Sequence, residues 1–143
     1  MWQCPRCERH FAAQGQVHTC APLGDLERHF AGSDPTVRAT FDAVIEAVEV
    51  LGPFEILPER TRIALHARMS FAAFRPRRRW LRGHLVLAAP VDSPRFLEVQ
   101  TFSPHNVLHE FRLDQPADVD LEFRGWLAAA YDVGRQRHHR TAI

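Results

Sequence analysis

Apolar positions fall into three regimes along the chain. From residue 35 they recur every three or four residues, at Val37, Phe41, Val44, Ile45, Val48 and Leu51, which is a helical stripe. Ser33 or Asp34 can cap this segment, and Pro35 sits in a first turn where its missing N–H costs nothing. Gly52 and Pro53 end it, so the pattern predicts a helix over 35–51. Between residues 54 and 113 the period shortens to two, in short runs at 54–57, 61–66, 71–75, 80–88, 97–102 and 107–113. Pro58, Pro76, Pro90, Pro94 and Pro104 fall between those runs, where turns belong, and the short spacing predicts sequential antiparallel hairpins. The helical period then returns at Val119, Phe123, Trp126, Leu127 and Ala130. Asp114 or Gln115 can cap this helix and Pro116 can open it. Asp118, Asp120 and Glu122 load its first turns with negative charge, which places it near 117–133, ending at Gly134.

One helix, a run of strands and a second helix predict an α+β fold. In it the helices pack on one face of an antiparallel sheet as a two-layer sandwich, in the order α-β-β-β-β-α. We place this domain at 35–134, after a linker with a short helical turn at 22–34 and before a basic tail at 135–143 that carries Arg135, Arg137, His138, His139 and Arg140.

The first segment, 1–21, has a different chemistry. Cys4-Pro5-Arg6-Cys7 is a knuckle whose two-residue spacing lets both sulfurs reach one ion, and His18-Thr19-Cys20 can close a tetrahedron. The chain's three cysteines all lie here, an odd number that argues against a disulfide framework. A unit this small cannot fold on apolar burial alone, and Trp2, Phe11 and Val17 make only a minimal core. Zinc supplies roughly 10–16 kcal/mol of apparent free energy in finger peptides, far more than that core. The expected ligands are Cys4, Cys7, His18 and Cys20. His10 is the rival for the fourth position, and His18 is preferred because ligand pairs at both ends of a loop constrain it better. With four protein ligands the site is structural rather than catalytic.

Composition changes little. Of 143 residues 45% are hydrophobic and 24% charged, an ordinary globular mix, and the formal net charge is +1, so no global field marks a nucleic-acid binder. No apolar run is long enough to span a bilayer and no secretory leader is evident, so a cytoplasmic location is expected. The local distribution of charge says more. All 18 basic side chains other than histidine are arginine, whose planar fork suits phosphate and carboxylate. Strand parity places Leu81, Leu85, Leu87, Phe111 and Leu113 on the face that helices must cover. It places Arg62, His66, Arg82, His84 and Arg112 on the other. Between two strands lies the densest basic stretch, Arg75-Pro76-Arg77-Arg78-Arg79, followed by Trp80. One reading of this face is an ordinary solvated surface with a charged turn. The sharper reading is an anion or nucleic-acid surface built from Arg62, Arg75, Arg77, Arg78, Arg79, Arg82, His84 and Arg112, with Trp80 or Phe74 stacking on bases. An enzyme built on His84, His109 and Ser103 finds no nucleophile motif, glycine-rich phosphate loop or paired carboxylates to support it. His109 falls on the core face, where a satisfied structural histidine is expected.

The chain resembles a bacterial family of unknown function that joins a C-P-x-C…H-x-C finger to an α/β domain. The residues that carry the resemblance are W-x-C-P-x-C at 2–7, H-x-C at 18–20, H-F-A-G-S-D-P-x-V-R at 29–38, T-R-I-A at 61–64 and R-M-S-F-A-A at 68–73. They continue with G-H-L-V-L at 83–87, S-P-R-F at 93–96, T-F-S-P at 101–104, H-x-F-R-L at 109–113 and W-L-x-x-A-Y at 126–131. A related domain occurs in larger bacterial proteins catalogued as predicted transport proteins. The resemblance implies no established activity, but it implies the same domain limits and that Arg62, His84, Ser103 and His109 act together. The order of elements is also similar to frataxin-like sandwiches at the level of fold. The resulting expectation is a zinc-containing binding module for an anionic partner, most plausibly nucleic acid. The alternatives are a phosphate or nucleotide pocket near Arg62, Arg75 and His84, and an adaptor that uses its finger to bind another protein.

Overall fold

The computed structural model describes residues 2–3, 10–11 and 25–136. Strands β1 (Trp2–Gln3) and β2 (His10–Phe11) pair antiparallel, Trp2 with Phe11 and Gln3 with His10. A short 3-10 turn at Leu26–Phe30 is capped by Asp25, whose carboxylate accepts from the Glu27 amide. Helix α1 (Pro35–Glu49) follows, with Asp34 as its extended N-cap residue and Pro35 in its first turn. Its buried Thr40 hydroxyl donates to the Thr36 carbonyl one turn back. The chain leaves α1 through Gly52 at φ 143°, in the region that favours glycine, and a side chain there would strike the Tyr131 hydroxyl.

Six strands follow, β3 (Glu55–Pro58), β4 (Ile63–His66), β5 (Ser70–Pro76), β6 (Leu81–Leu87), β7 (Phe96–Ser103) and β8 (Asn106–Leu113), and then α2 (Leu121–Gly134). All six runs of alternating residues are strands of one antiparallel sheet, ordered β3-β4-β5-β6-β8-β7. The fold is thus α+β with a helix before and a helix after the sheet, and with six strands where a four-strand order was expected. The expectation of sequential hairpins fails at one place: β6 pairs with β8, and β7 is the edge strand. The connection at 88–95 passes over the helix side, where the Val91 amide donates to His109 Nε2 at 2.9 Å. Arg95 leans on Trp126 and Phe123 while its guanidinium holds Asp120 and Glu122. A second correction concerns the last helix. Pro116 opens a separate 3-10 turn at Pro116–Asp118, closed by a reciprocal box between Gln115 and Asp118, and α2 starts only at Leu121 behind Asp120, which accepts from the Phe123 amide.

The core lies between the helices and one sheet face. Phe41, Leu85, Phe111, Phe123 and Leu127 are buried in one cluster, with Ile45 packed against it. Aromatic rings run through it, Phe30 tilted on Phe41 and then edge to face from Phe41 to Phe74, Phe74 to Phe111 and Phe111 to Phe123, with centroids between 4.9 and 5.8 Å apart. Phe30 brings the short turn, read from sequence as linker, into this core. Ser33 and Asp34 tie it further, since the Ser33 hydroxyl donates to the Arg77 carbonyl and the Asp34 amide to the Arg78 carbonyl.

Candidate anion-binding site

The face of the sheet away from the helices carries the second half of the alternation. Register sets Ala64 beside Ala73, Ala73 beside His84 and His84 beside Glu110, with Arg75 beside Arg82 and Arg82 beside Arg112. Two small residues give this surface its relief. Ala73 is buried to 3% exposure on this side, and around it the longer side chains leave a half-open depression of about 190 Å³. It is lined by Ala73, Arg75, Arg82, Gly83, His84, Gln100, Leu108 and Glu110. Gly83 lacks a side chain because its Cβ would point the other way, 2.8 Å from Phe74 and 3.0 Å from Phe111. Close ring packing on one face and the floor of the depression on the other therefore meet at one residue.

His84 is the most perturbed group here. Burial, then the positive charges of Arg62 and Arg75, push its pKa down from 6.5 to about 4, so the imidazole is neutral at physiological pH. Arg82 Nη2 donates to Glu110 at 3.2 Å. Arg62 Nε donates to Glu59 at 2.8 Å, and the Glu59 carbonyl is in turn within 2.7 Å of His29 Nε2. Gln100 Nε2 donates to Glu98 at 2.6 Å.

The eight residues singled out in the sequence divide into groups. Arg75, Arg82 and His84 line the depression, and Arg62 borders it through its effect on His84. Arg77, Arg78 and Arg79 occupy the β5–β6 turn, closed by the Arg77 amide donating to the Trp80 carbonyl. Arg112 lies over the Trp80 ring at 4.2 Å and donates to Asp114, so the indole face proposed to stack on bases already carries a cation. Phe74 is fully buried on the helix side and is not a stacking platform either.

His84, His109 and Ser103 do not form one group. His109 faces the core, donating from Nδ1 to the Val107 carbonyl and accepting at Nε2 from Val91, and burial lowers its pKa. It is a satisfied structural histidine. Ser103 sits at the end of the β7–β8 hairpin and accepts from Asn106. Cys4, Cys7, His18 and Cys20 lie outside the described residues, while rival His10 falls in strand β2. Among the described residues no group of three or more His, Cys, Asp or Glu side chains is placed to hold a metal ion. No described helix is long and apolar enough to cross a membrane.

Sequence reasoning missed Gln100 and Leu108 as lining residues. Leu108 shares its face with Glu110 by alternation along β8, whereas Gln100 is brought to the depression only because β7 sits beyond β8, and β7 is bulged at both ends, between Phe96 and Glu98 and between Thr101 and Ser103. Glu110 was legible as an open-face acid able to neutralise arginines there, and the adjacency of β6 and β8 makes Arg82 the one it holds.

No curated protein and no solved structure matches the chain at a significant level. A family model does match, described as a domain of unknown function (DUF5655), over residues 26–134, which takes in the short turn, both helices and all six strands of the sheet. The match starts after the cysteine-rich segment, and it covers well over half of the chain: the protein belongs to the DUF5655 family.

Proposed function

We propose that this protein is a binding module whose sheet domain takes a small anionic ligand in the open-face depression, and whose residues 1–21 form a zinc finger. The observation that carries the reading is the convergence of Arg75 and Arg82 with a neutral His84 on one concave site. Among the described residues Arg75 has no ion-pair partner, so the depression holds a guanidinium without a counter-charge. Carboxylates and phosphates are the ligands such forks bind best. Thermal unfolding with increasing concentrations of small anions tests the reading. A saturable rise in Tm that disappears when Arg75 and Arg82 are both changed to Ala supports it. A rise that does not saturate, or survives in the double variant, overturns it.

A second reading, nucleic-acid binding, draws on Arg77, Arg78 and Arg79, which continue the positive surface from Arg75 around the turn. It predicts affinity for an oligonucleotide that falls steeply with salt, and a flatter slope when the three are replaced by Ala. The covered indole of Trp80 favours the small ligand. If neither ligand binds, the finger acting as an adaptor for another protein is the remaining reading.

The zinc reading rests on the spacing of Cys4, Cys7, His18 and Cys20, supported by the pairing of β1 with β2 on either side of residues 4–9. Thiolates available for zinc fit a reducing cytosol. Metal analysis should find one zinc per chain, lost in Cys4→Ser or Cys20→Ser. Full zinc content in His18→Ala would move the fourth ligand to His10.

A further inference from the structure

Taking the depression as the binding site, we infer that its ligand is a small monocarboxylate that also carries a hydrogen-bond donor, as a hydroxy acid or amino acid does, and not a phosphate monoester. Three observations lead there. The first is polarity across the sheet. On the β5–β6 side the walls are donors, the guanidinium groups of Arg75 and Arg82. On the β8–β7 side they are acceptors. Glu110 uses one carboxylate oxygen on Arg82 and keeps the other, and Gln100 gives one amide hydrogen to Glu98 while its carbonyl is left as an acceptor. A ligand with an anionic group alone would leave those acceptors facing it unmatched, whereas one with a hydroxyl or ammonium at its other end satisfies both walls.

The second observation is charge. Two guanidinium groups and one carboxylate line the depression, so the protein supplies a single uncompensated positive charge. Arg62 does not line the depression and is paired with Glu59, although its charge still reaches His84. A hydroxy-acid monoanion is matched by that charge, and a zwitterionic amino acid sets its carboxylate against the guanidinium groups and its ammonium against Glu110. A dianion would bring its extra negative charge up against Glu110 unless His84 took up a proton. The groups facing that imidazole oppose uptake: Arg62 leading into β4, Arg75 on β5 and Arg82 on its own strand are positive, and Glu110 on β8 is already paired with Arg82. Glu55 on β3, His66 on β4, Glu98 on β7 and Arg112 on β8, the last held by Asp114, are the other charged or titratable groups in register on this face. The third observation is size. About 190 Å³ lies below the roughly 300–1,000 Å³ typical of sites for drug-sized ligands, so a nucleotide does not fit inside it.

The test uses the full chain labelled with ¹⁵N. Lactate, glycine, propionate, sulfate and glycerol phosphate are titrated separately at pH 7.5, and the amide shifts of Ala73, His84 and Glu110 are followed. Lactate or glycine should bind saturably and at least tenfold more tightly than propionate, which lacks the donor, and than either dianion. Sulfate should gain affinity as pH is lowered toward 5, because its binding draws a proton onto His84, while lactate should not. In Glu110→Gln the preference should turn, with sulfate gaining about tenfold and lactate losing its advantage over propionate. If glycerol phosphate or sulfate binds the parent more tightly than lactate, and Arg75→Ala abolishes that binding, the depression is the site but the ligand class is wrong. If propionate equals lactate, the donor requirement is wrong. If no probe shifts these amides, or Arg75→Ala leaves binding intact, both this inference and the anion-site reading fall.

Discussion

Strands β6 and β8 present two different proteins on their two faces. Toward the helices they offer Leu81, Leu85, Phe111 and Leu113, all at 2% exposure or less. Away from the helices the residues between them are Arg82, His84, Glu110 and Arg112, half-buried or exposed, with Arg82 paired to Glu110 and Arg112 to Asp114. The covered face gains its free energy from apolar area removed from water and from rings meeting edge to face. The open face gains little from its pairs, because Arg82 and Glu110 are 40% and 27% exposed and solvent screens them. Stability should therefore reside on one side of the sheet and binding on the other.

The largest effect that tests this division comes from the centre of the covered face. Phe111 touches Phe74 on one side and Phe123 on the other, at 5.8 and 4.9 Å between ring centroids. Phe111→Ala opens a cavity that those rings cannot fill without losing their own contacts. A loss of about 3–5 kcal/mol is expected in urea unfolding. A loss under about 1 kcal/mol would mean that the core is not centred where the ring chain puts it.

The next effect belongs to the open face and is set by pH. Folded His84 gains its proton only near pH 4, whereas the unfolded side chain gains it near 6.5. In that window the unfolded state binds more protons, so stability rises with pH from 4 to 6.5 and falls as acid is added. His109, lowered chiefly by burial, acts in the same direction. Each pH unit between the folded and unfolded values is worth about 1.4 kcal/mol, so the His84 contribution lost by pH 4 approaches about 3 kcal/mol. Asp120 works elsewhere on the scale. The Phe123 amide and Arg95 hold its carboxyl below its ordinary 3.8, so its contribution fades only in stronger acid. Urea titrations from pH 7.5 to 4.5 should show the decline, and His84→Gln should remove part of it. An unchanged slope in that variant would mean that the imidazole is not held neutral by its neighbours.

Much of this division was readable from alternation alone. The core residues Phe41, Leu85, Phe111, Phe123 and Leu127, and the open-face position of Arg82, His84 and Arg112, follow from periods of 3.6 and two, because each period is a property of the backbone itself. What alternation does not encode is which strands are neighbours. Pro90 and Pro94 mark a break after β6, but a tight turn and a crossover to the sheet edge carry the same local signal. The depression depends on that choice, since Gln100 reaches it only because β8 lies between β6 and β7. The convergence of Arg75 with Arg82 was implicit in the β5–β6 hairpin. The capture of Trp80 by Arg112 needed β6 and β8 to be adjacent, and no one-strand pattern contains it.

A smaller effect tests how firmly the two faces are joined. Gly83 lines the depression, yet its missing Cβ would enter the space between Phe74 and Phe111, and the Ala73 carbonyl stands 2.7 Å away. Because that carbonyl is sheet backbone, it cannot swing aside as a side-chain tip would. Gly83→Ala should cost about 1–3 kcal/mol through overpacking. It should also weaken ligand binding, although no ligand-facing atom is added. Normal stability would show that the sheet yields locally and that the faces are independent.

The smallest expected effect separates holding a ligand from holding the fold. Arg82 and Glu110 are paired across β6 and β8 on the open face, both partly exposed. If the pair serves stability, a double-mutant cycle with Arg82→Ala and Glu110→Ala should return a coupling well above 1 kcal/mol. Screening and the entropy of fixing two long side chains predict about 0.2–1 kcal/mol instead. Either single variant should also unfold close to the parent, because neither leaves a fully buried charge behind. Binding should respond quite differently. Arg82→Ala removes one of two guanidinium groups from the depression, whereas Glu110→Ala removes the carboxylate that offsets one of them. The two variants should therefore shift anion affinity in opposite directions at about 50 mM salt, and the gap between them should narrow at about 500 mM as the charges are screened. A large coupling in the cycle would move part of the fold's stability to the open face and end the division between the two sides. Opposite changes in affinity with near-parental unfolding would instead place the pair in the ligand site, with Glu110 setting how much negative charge the depression accepts.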